Sequence, residues 1–144
     1  MNPAIKRIAS DETLPEAVDV VVVGGGIIGS CAAYVLARKG LSVALLEKGY
    51  VGCEQSSRNW GWCRKQNRDR REMPLAILAM DMWDSFAEEI GQDVGFRRTG
   101  LVYATHDEAT LAEWAAWRPV AEEFGVDTHM LTAQQAAQFV PEQR

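Results

Sequence analysis

Nothing limits what this chain can fold into more than the run Asp19-Val20-Val21-Val22-Val23-Gly24-Gly25-Gly26-Ile27-Ile28-Gly29. Four consecutive valines predict a strand buried on both faces. The glycines that follow predict a tight turn into a helix over Ile27–Lys39, with Gly40 as its stop. Small Ser30, Ala32 and Ala33 suit close packing of that helix on a sheet, and Leu41–Leu46 supplies a second apolar run that ends in the acid Glu47. Strand, glycine turn, helix, strand and acid, in that order, form the dinucleotide-binding βαβ fingerprint. Gly24 permits the turn, Gly26 lets backbone approach a pyrophosphate, and Gly29 lets the helix lie against the strand. The start of the helix, at Ile27 and Ile28, presents free amides and a positive dipole end to an anion. Glu47 lies where a carboxylate accepts from both ribose hydroxyls and disfavours a 2′-phosphate.

Length and charge bound the rest. A chain of 144 residues is material for about one domain, and 47% hydrophobic residues is ordinary for a globular protein. A net charge of −5 speaks against nucleic acid or an anionic membrane as the main partner. Cys31, Cys53 and Cys63 have no metal-ligand spacing, so reduced thiols and no metal are expected. The apolar stretch from Val18 to Ala37 contains Asp19 and four glycines, and the residues before it lack the order of a signal peptide. The reading is a cytoplasmic protein with no membrane span, in which residues 1–17 are a flexible leader.

After Glu47 the pattern changes. Arg58 to Glu72 reads as a basic polar loop, and Met73 to Ile90 as an amphipathic helix with Leu75, Leu78, Ala79, Met82, Trp83 and Phe86 at helical spacing and Pro74 in its first turn. Gly91 and Gly95 end it. A strand is expected around Leu101-Val102-Tyr103-Ala104, a helix from Glu108 to Phe124 that Pro119 kinks or divides, a short strand over Val126–Leu131, and a last helix from Ala133 to Phe139 capped by Thr132. The fold class is therefore α/β: a Rossmann-like dinucleotide-binding βαβ unit followed by the start of a second, α+β domain. One βαβ unit does not complete a doubly wound sheet, so the fold is expected to be incomplete, with strand edges and apolar faces uncovered. The domain boundaries expected are 18–72 for the nucleotide-binding part and 73–144 for the helical segment and the start of the second domain.

The residues Gly52-Cys53-Glu54-Gln55-Ser56-Ser57-Arg58-Asn59-Trp60-Gly61-Trp62-Cys63-Arg64 resemble the region after the second strand in the FAD-dependent D-amino acid oxidase family. The segment from Phe96 to Tyr103, continuing through Leu131 and Pro141, resembles the opening of that family's substrate domain. Within the family, the stretch from Ser56 to Arg64 is similar to the B subunits of opine oxidases and to D-hydroxyproline dehydrogenases. The resemblance implies FAD as cofactor, so that the Rossmann-like βαβ unit is an FAD-binding unit and the α+β domain a substrate domain. Gly24, Gly26 and Gly29 would take its pyrophosphate, Glu47 the adenosine ribose, and backbone around Lys48 the adenine side. Ser56 and Ser57 would reach phosphate or ribitol oxygens, and Asn59, Trp60, Gly61 and Trp62 would run towards the flavin ring. Arg64 is the basic residue for a place near the flavin, where a guanidinium clamps a carboxylate or steadies negative charge. Simple turns at Ser56 and Ser57, and plain packing of the two indoles, are the competing readings.

His106 and His129 have no catalytic company in the sequence, and no catalytic residue is assigned. The family resemblance implies oxidation of a C–N bond in a small amino, imino or opine-type acid, with hetero-oligomeric partner subunits. Two other readings stay open: an inert nucleotide-binding fragment that needs a partner chain, and an NAD-dependent oxidoreductase.

Overall fold

The computed structural model describes residues 7–139, which divide into two compact units on either side of the boundary between Trp62 and Cys63. In the first, strand β1 (Val20–Val23) leads through the glycine turn into helix α1 (Ile27–Arg38) and back to strand β2 (Val43–Leu46). The strands pair in parallel, with Val20 opposite Val43 and Val23 opposite Leu46. Asp19 clamps the open end of the pair: its carboxylate accepts from the amide of Ser42 at 2.8 Å and from the Ser42 hydroxyl at 2.6 Å. These bonds hold the Asp19 carboxyl below its ordinary pKa.

The helix lies against the sheet because residue 29 has no side chain. A Cβ there would stand 1.9 Å from the Gly24 carbonyl oxygen, a backbone atom that cannot step aside. Gly24 itself sits at φ +103°, a conformation closed to most side chains. Ala32 points outward, whereas Ser30 and Ala33 are half-buried. The expectation of a strand buried on both faces is corrected: Val20 and Val22 are half-buried, but Val21 is 55% and Val23 83% exposed, because among the described residues α1 is the only helix that contacts β1 appreciably. Both outer edges of the two-stranded sheet lack a strand partner among the described residues, as an incomplete fold requires. A short helix, α2 (Gln55–Arg58), follows β2 in a stretch to which the sequence pattern assigned no element.

The second unit is built of helices. A 3₁₀ turn (Arg70–Glu72), capped by the Asp69 carboxylate on the Arg71 amide, feeds α3 (Met73–Ile90) with Pro74 in its first turn. Gly91, at φ 69°, ends α3 in the left-handed conformation. Pro119 divides the next helical stretch, giving α4 (Glu108–Ala116) and α5 (Arg118–Glu123) with Trp117 at the break. Helix α6 (Ala133–Ala136) is shorter than the sequence pattern suggested and begins with a capping box between Thr132 and Gln135. The expected strands around Leu101–Ala104 and over 126–131 are absent: among the described residues of this unit no ladder forms, and a short extended run without a partner is not a strand.

The core of this unit is Met73, Trp117 and Ala121, flanked by Ile77, Val120, Phe124 and Val126. The buried stripe of α3 thus differs from the expected one. Met73 is buried, and Ile77, Trp83 and Phe86 are half-buried, while Leu75, Leu78 and Met82 are 72%, 56% and 54% exposed. An apolar residue on a helix has two possible faces, and spacing alone did not choose between these two stripes. Trp117 also donates its indole N–H to the Arg68 carbonyl at 2.8 Å, so one side chain fills the core and ties the loop before α3.

Two substitutions test these contacts. Gly29→Ala should destabilise the first unit by about 3 kcal/mol through overpacking, read as lost exchange protection of the β1 amides. Trp117→Ala should cost the second unit about 3–5 kcal/mol, measured by urea denaturation; an unchanged midpoint would contradict the core described.

Candidate functional site

The glycine turn, Glu47 and Ser56 come together in the first unit. Gly25, the middle glycine, is buried and is the hub of the arrangement. Its amide donates to Glu47 Oε2 at 2.7 Å, and its carbonyl accepts from the Gly52 amide at 2.9 Å and the Ser30 hydroxyl at 3.3 Å. Glu47 Oε1 accepts from the Gly49 amide at 2.8 Å. The Gly24 amide donates to the Leu46 carbonyl at 2.7 Å, which continues the parallel ladder into the turn. Residues 46–52 are therefore laced to residues 24–25 from both directions.

Gly26 is the N-cap of α1 and has no side chain with which to cap it. The hydroxyl of Ser56 does this from a distant part of the chain, accepting from the Ile27 amide at 2.8 Å. A Cβ on Gly26 would come within 3.1 Å of that hydroxyl oxygen. The amides of Ile28 and Gly29 have no acceptor within their own helix, as at every helix start. Ile28 is 82% exposed, so no side chain of this helix start is packed away. A bare glycine surface, first-turn amides and the dipole end of α1 fit a pyrophosphate without any basic side chain. Each oxygen of Glu47 holds one amide and retains a further lone pair for a ribose hydroxyl.

The other sequence candidates are placed as follows. The Lys48 ammonium lies 3.5 Å from Glu54, and the Ser57 hydroxyl turns back to donate to the Glu54 carbonyl at 3.1 Å. Asn59 shapes the loop after α2: its side-chain amide donates to the Ser56 carbonyl at 2.7 Å, and its oxygen accepts from the Gly61 amide at 2.6 Å. Gly61 carries a positive φ of 70° in that turn. Trp60 and Trp62 meet edge to face with ring centres 4.9 Å apart, and Trp60 is 80% exposed. Arg64 falls in the second unit, where its guanidinium donates to the Gln66 carbonyl. The structure thus gathers Gly24, Gly26, Ile27, Ile28, Gly29, Glu47 and Ser56 into one site, while the Lys48 and Ser57 side chains turn to Glu54.

Sequence reasoning missed Gly25, Gly49 and Gly52, whose amides and carbonyl lace the turn. The one available signal was the middle one of three consecutive glycines, since the fingerprint needs glycine at 24, 26 and 29 but not at 25. Nor does the basic loop form an open cationic patch. Arg58 pairs with Glu54, Arg68 with Glu72, Arg70 with Glu123 through two bonds of 2.7 and 2.6 Å, and Arg71 with Asp69. Exposed pairs of this kind contribute little to stability. Cys31, Cys53 and Cys63 are free thiols. Among the described residues, no group of His, Cys, Asp and Glu has the arrangement of a metal site, and no helix is long and apolar enough to cross a membrane.

A βαβ unit with a glycine turn at the helix start and an acid closing the second strand defines a dinucleotide-binding protein of the Rossmann type. The sequence pattern of the DAO family, FAD dependent oxidoreductase, matches residues 19–144, and the chain belongs to that family. Glycine oxidase of Geobacillus kaustophilus is 33% identical over 115 residues, covering 72% of this chain and 30% of the relative. The sarcosine oxidase subunit beta of an Arthrobacter species is 32% identical over 126 residues, covering 85% of this chain and 31% of the relative. L-Amino acid deaminase from Proteus myxofaciens superposes with a TM-score of 0.82 at 31% identity, covering all of this chain and 34% of that one. The chain therefore spans about a third of the length of these proteins.

The two amides on Glu47, Gly25 first and Gly49 second, hold its carboxyl below the ordinary value of 4.5. A depressed carboxyl contributes stability above its unfolded pKa and loses it as pH falls through the folded one. Hydrogen exchange at Gly25 and Gly49 should accordingly stay constant from about pH 8 to 5 after correction for intrinsic rates, and quicken once pH falls through the depressed value.

Proposed function

We propose that the protein to which this chain belongs is an FAD-dependent oxidoreductase acting on the C–N bond of a small amino, imino or opine-type acid. The glycine turn, closed by Glu47 and Ser56 around the start of α1, is the observation that carries this reading. Membership of an FAD dependent oxidoreductase family supports the choice of FAD over a nicotinamide dinucleotide. The relatives, a glycine oxidase, a sarcosine oxidase subunit and an L-amino acid deaminase, support a small amino acid as substrate class.

In this reading the amides at the start of α1 and the bare backbone at Gly26 bind the pyrophosphate, and Glu47 accepts from the adenosine ribose. Lys48 lies on the adenine side by its backbone. Ser56 and Ser57 supply hydroxyls, and Asn59, Trp60, Gly61 and Trp62 lead towards the ring, with Arg64 beyond them. Residues 18–72 belong to the FAD-binding domain, and 73–144 begin the substrate domain. Bound FAD would supply the acceptor for a hydride taken from the carbon beside the nitrogen, leaving an imine that water hydrolyses. This chain's share of the work is to bind and orient that acceptor.

The finer assignment, likeness to the B subunits of opine oxidases and to D-hydroxyproline dehydrogenases, rests on the stretch from Ser56 to Arg64. One relative is itself a subunit of sarcosine oxidase, which favours a hetero-oligomer. A cytoplasmic location goes with this reading.

The test is an absorption spectrum of the intact gene product, taken before and after anaerobic addition of proline, hydroxyproline and opine-type acids. A flavin band that bleaches with one of them is the expected result. A colourless protein that binds NAD would overturn the FAD assignment, and a yellow one that no amine reduces would overturn the reaction.

A further inference from the structure

One carboxylate in this site makes more contacts than recognition of a ribose needs. Glu47 Oε2 accepts from the Gly25 amide at 2.7 Å and Oε1 from the Gly49 amide at 2.8 Å, so the group bridges two backbone segments. Its stem is packed as tightly. A Cβ built on Gly25 would lie 3.2 Å from Glu47 Cβ and 3.3 Å from its Cγ. The neighbouring Gly25 carbonyl is itself held by Gly52 and Ser30, and the next amide but one, Ile27, is held by Ser56. Gly25 is thus fixed at both its amide and its carbonyl, and it stands one residue before the N-cap of α1.

We propose that Glu47 is a positioning residue for the phosphate cradle as well as a partner for the ribose: its carboxylate staples Gly25 to Gly49 and so sets the backbone shape that meets the pyrophosphate. Hydrogen bonds to a charged acceptor are about twice as strong as neutral ones. A cradle held in shape before its ligand arrives does not spend binding free energy on ordering. The consequence is specific. Removing the carboxylate weakens recognition even of a nucleotide that has no ribose hydroxyls for it to meet.

The inference rests on the nucleotide-binding reading above, and a chemical cycle separates the two. ADP and 2′,3′-dideoxy-ADP are titrated calorimetrically into the wild-type chain, Glu47→Ala and Glu47→Gln. Amide proton shifts of Gly25 and Gly49 are recorded for each protein without nucleotide. The staple predicts that Glu47→Ala weakens dideoxy-ADP by about tenfold, the equivalent of one charge-assisted hydrogen bond. Glu47→Gln, which keeps one acceptor oxygen and the same shape, should recover part of that loss. Both glycine amide protons should move upfield in the variants while the amides of β1 and of the later turns of α1 keep their positions, which shows that the first unit remains folded.

If Glu47→Ala weakens ADP but leaves dideoxy-ADP within a factor of about two of wild type, the carboxylate serves the ribose alone and the proposal is overturned. It is likewise overturned if the Gly25 amide ignores both substitutions. A wild-type chain that binds neither nucleotide would instead bring down the dinucleotide reading, and with it the claim that the staple serves a ligand.

Discussion

The contact between α1 and the carbonyl of Gly24 is the constraint on which the first unit depends. With hydrogen in place of a side chain at residue 29, the helix settles onto the turn that precedes it. That approach places the start of α1 beside the ends of β1 and β2, where Glu47 emerges. Had the helix stood off by the width of a methyl group, neither the Gly25 amide nor the Ile27 amide would be where the rest of the chain reaches it. The electrostatics of the site follow from a steric fact.

Upon that contact the chain builds a site almost wholly from backbone. Among the described residues no lysine or arginine side chain hydrogen-bonds to the glycine turn or to the start of α1. The polar side chains present, Glu47, Ser56 and Ser30, all engage main-chain groups of the turn and helix start. Such a site carries its positive potential in amides and the helix dipole, which cannot rotate away as a lysine can. The charge of the acid at this turn is shared between two amides. Most arginines of the acidic chain are spent on carboxylates of their own neighbourhood, which explains why a basic loop in the sequence becomes a solvated set of ion pairs in the structure.

How much of this could be read beforehand depends on the range of the interaction. The βαβ unit was legible because valine runs, glycine turns and helix stops act over a few residues. The break at Pro119, the stop at Gly91 and the cap at Thr132 were legible for the same reason. The two expected strands of the second unit failed because a strand exists only with a partner, and a short apolar run carries no information about one. The buried face of α3 was misread because two apolar stripes compete on that helix, and Trp117, a residue far along the chain, decides between them. Ser56 was named as a hydroxyl for a ligand, yet its contact with the Ile27 amide spans 29 residues and no local pattern announces it.

By itself the sequence determined the order of the first elements, the turn that needs glycine at 24 and 29, and the family to which the chain belongs. Each of these is written in local sterics, in hydrophobic periodicity, or in a short motif whose residues lie close along the chain. Only the tertiary structure decided that Gly25 is the hub, that Glu47 spans two backbone segments, and that Ser56 caps a helix whose own N-cap has no side chain. All but the bond from Gly49 to Glu47 are contacts between residues distant in sequence. Their geometry comes into being only when the helix has packed against the sheet, because hydrogen bonds of this kind depend on distances that folding alone establishes.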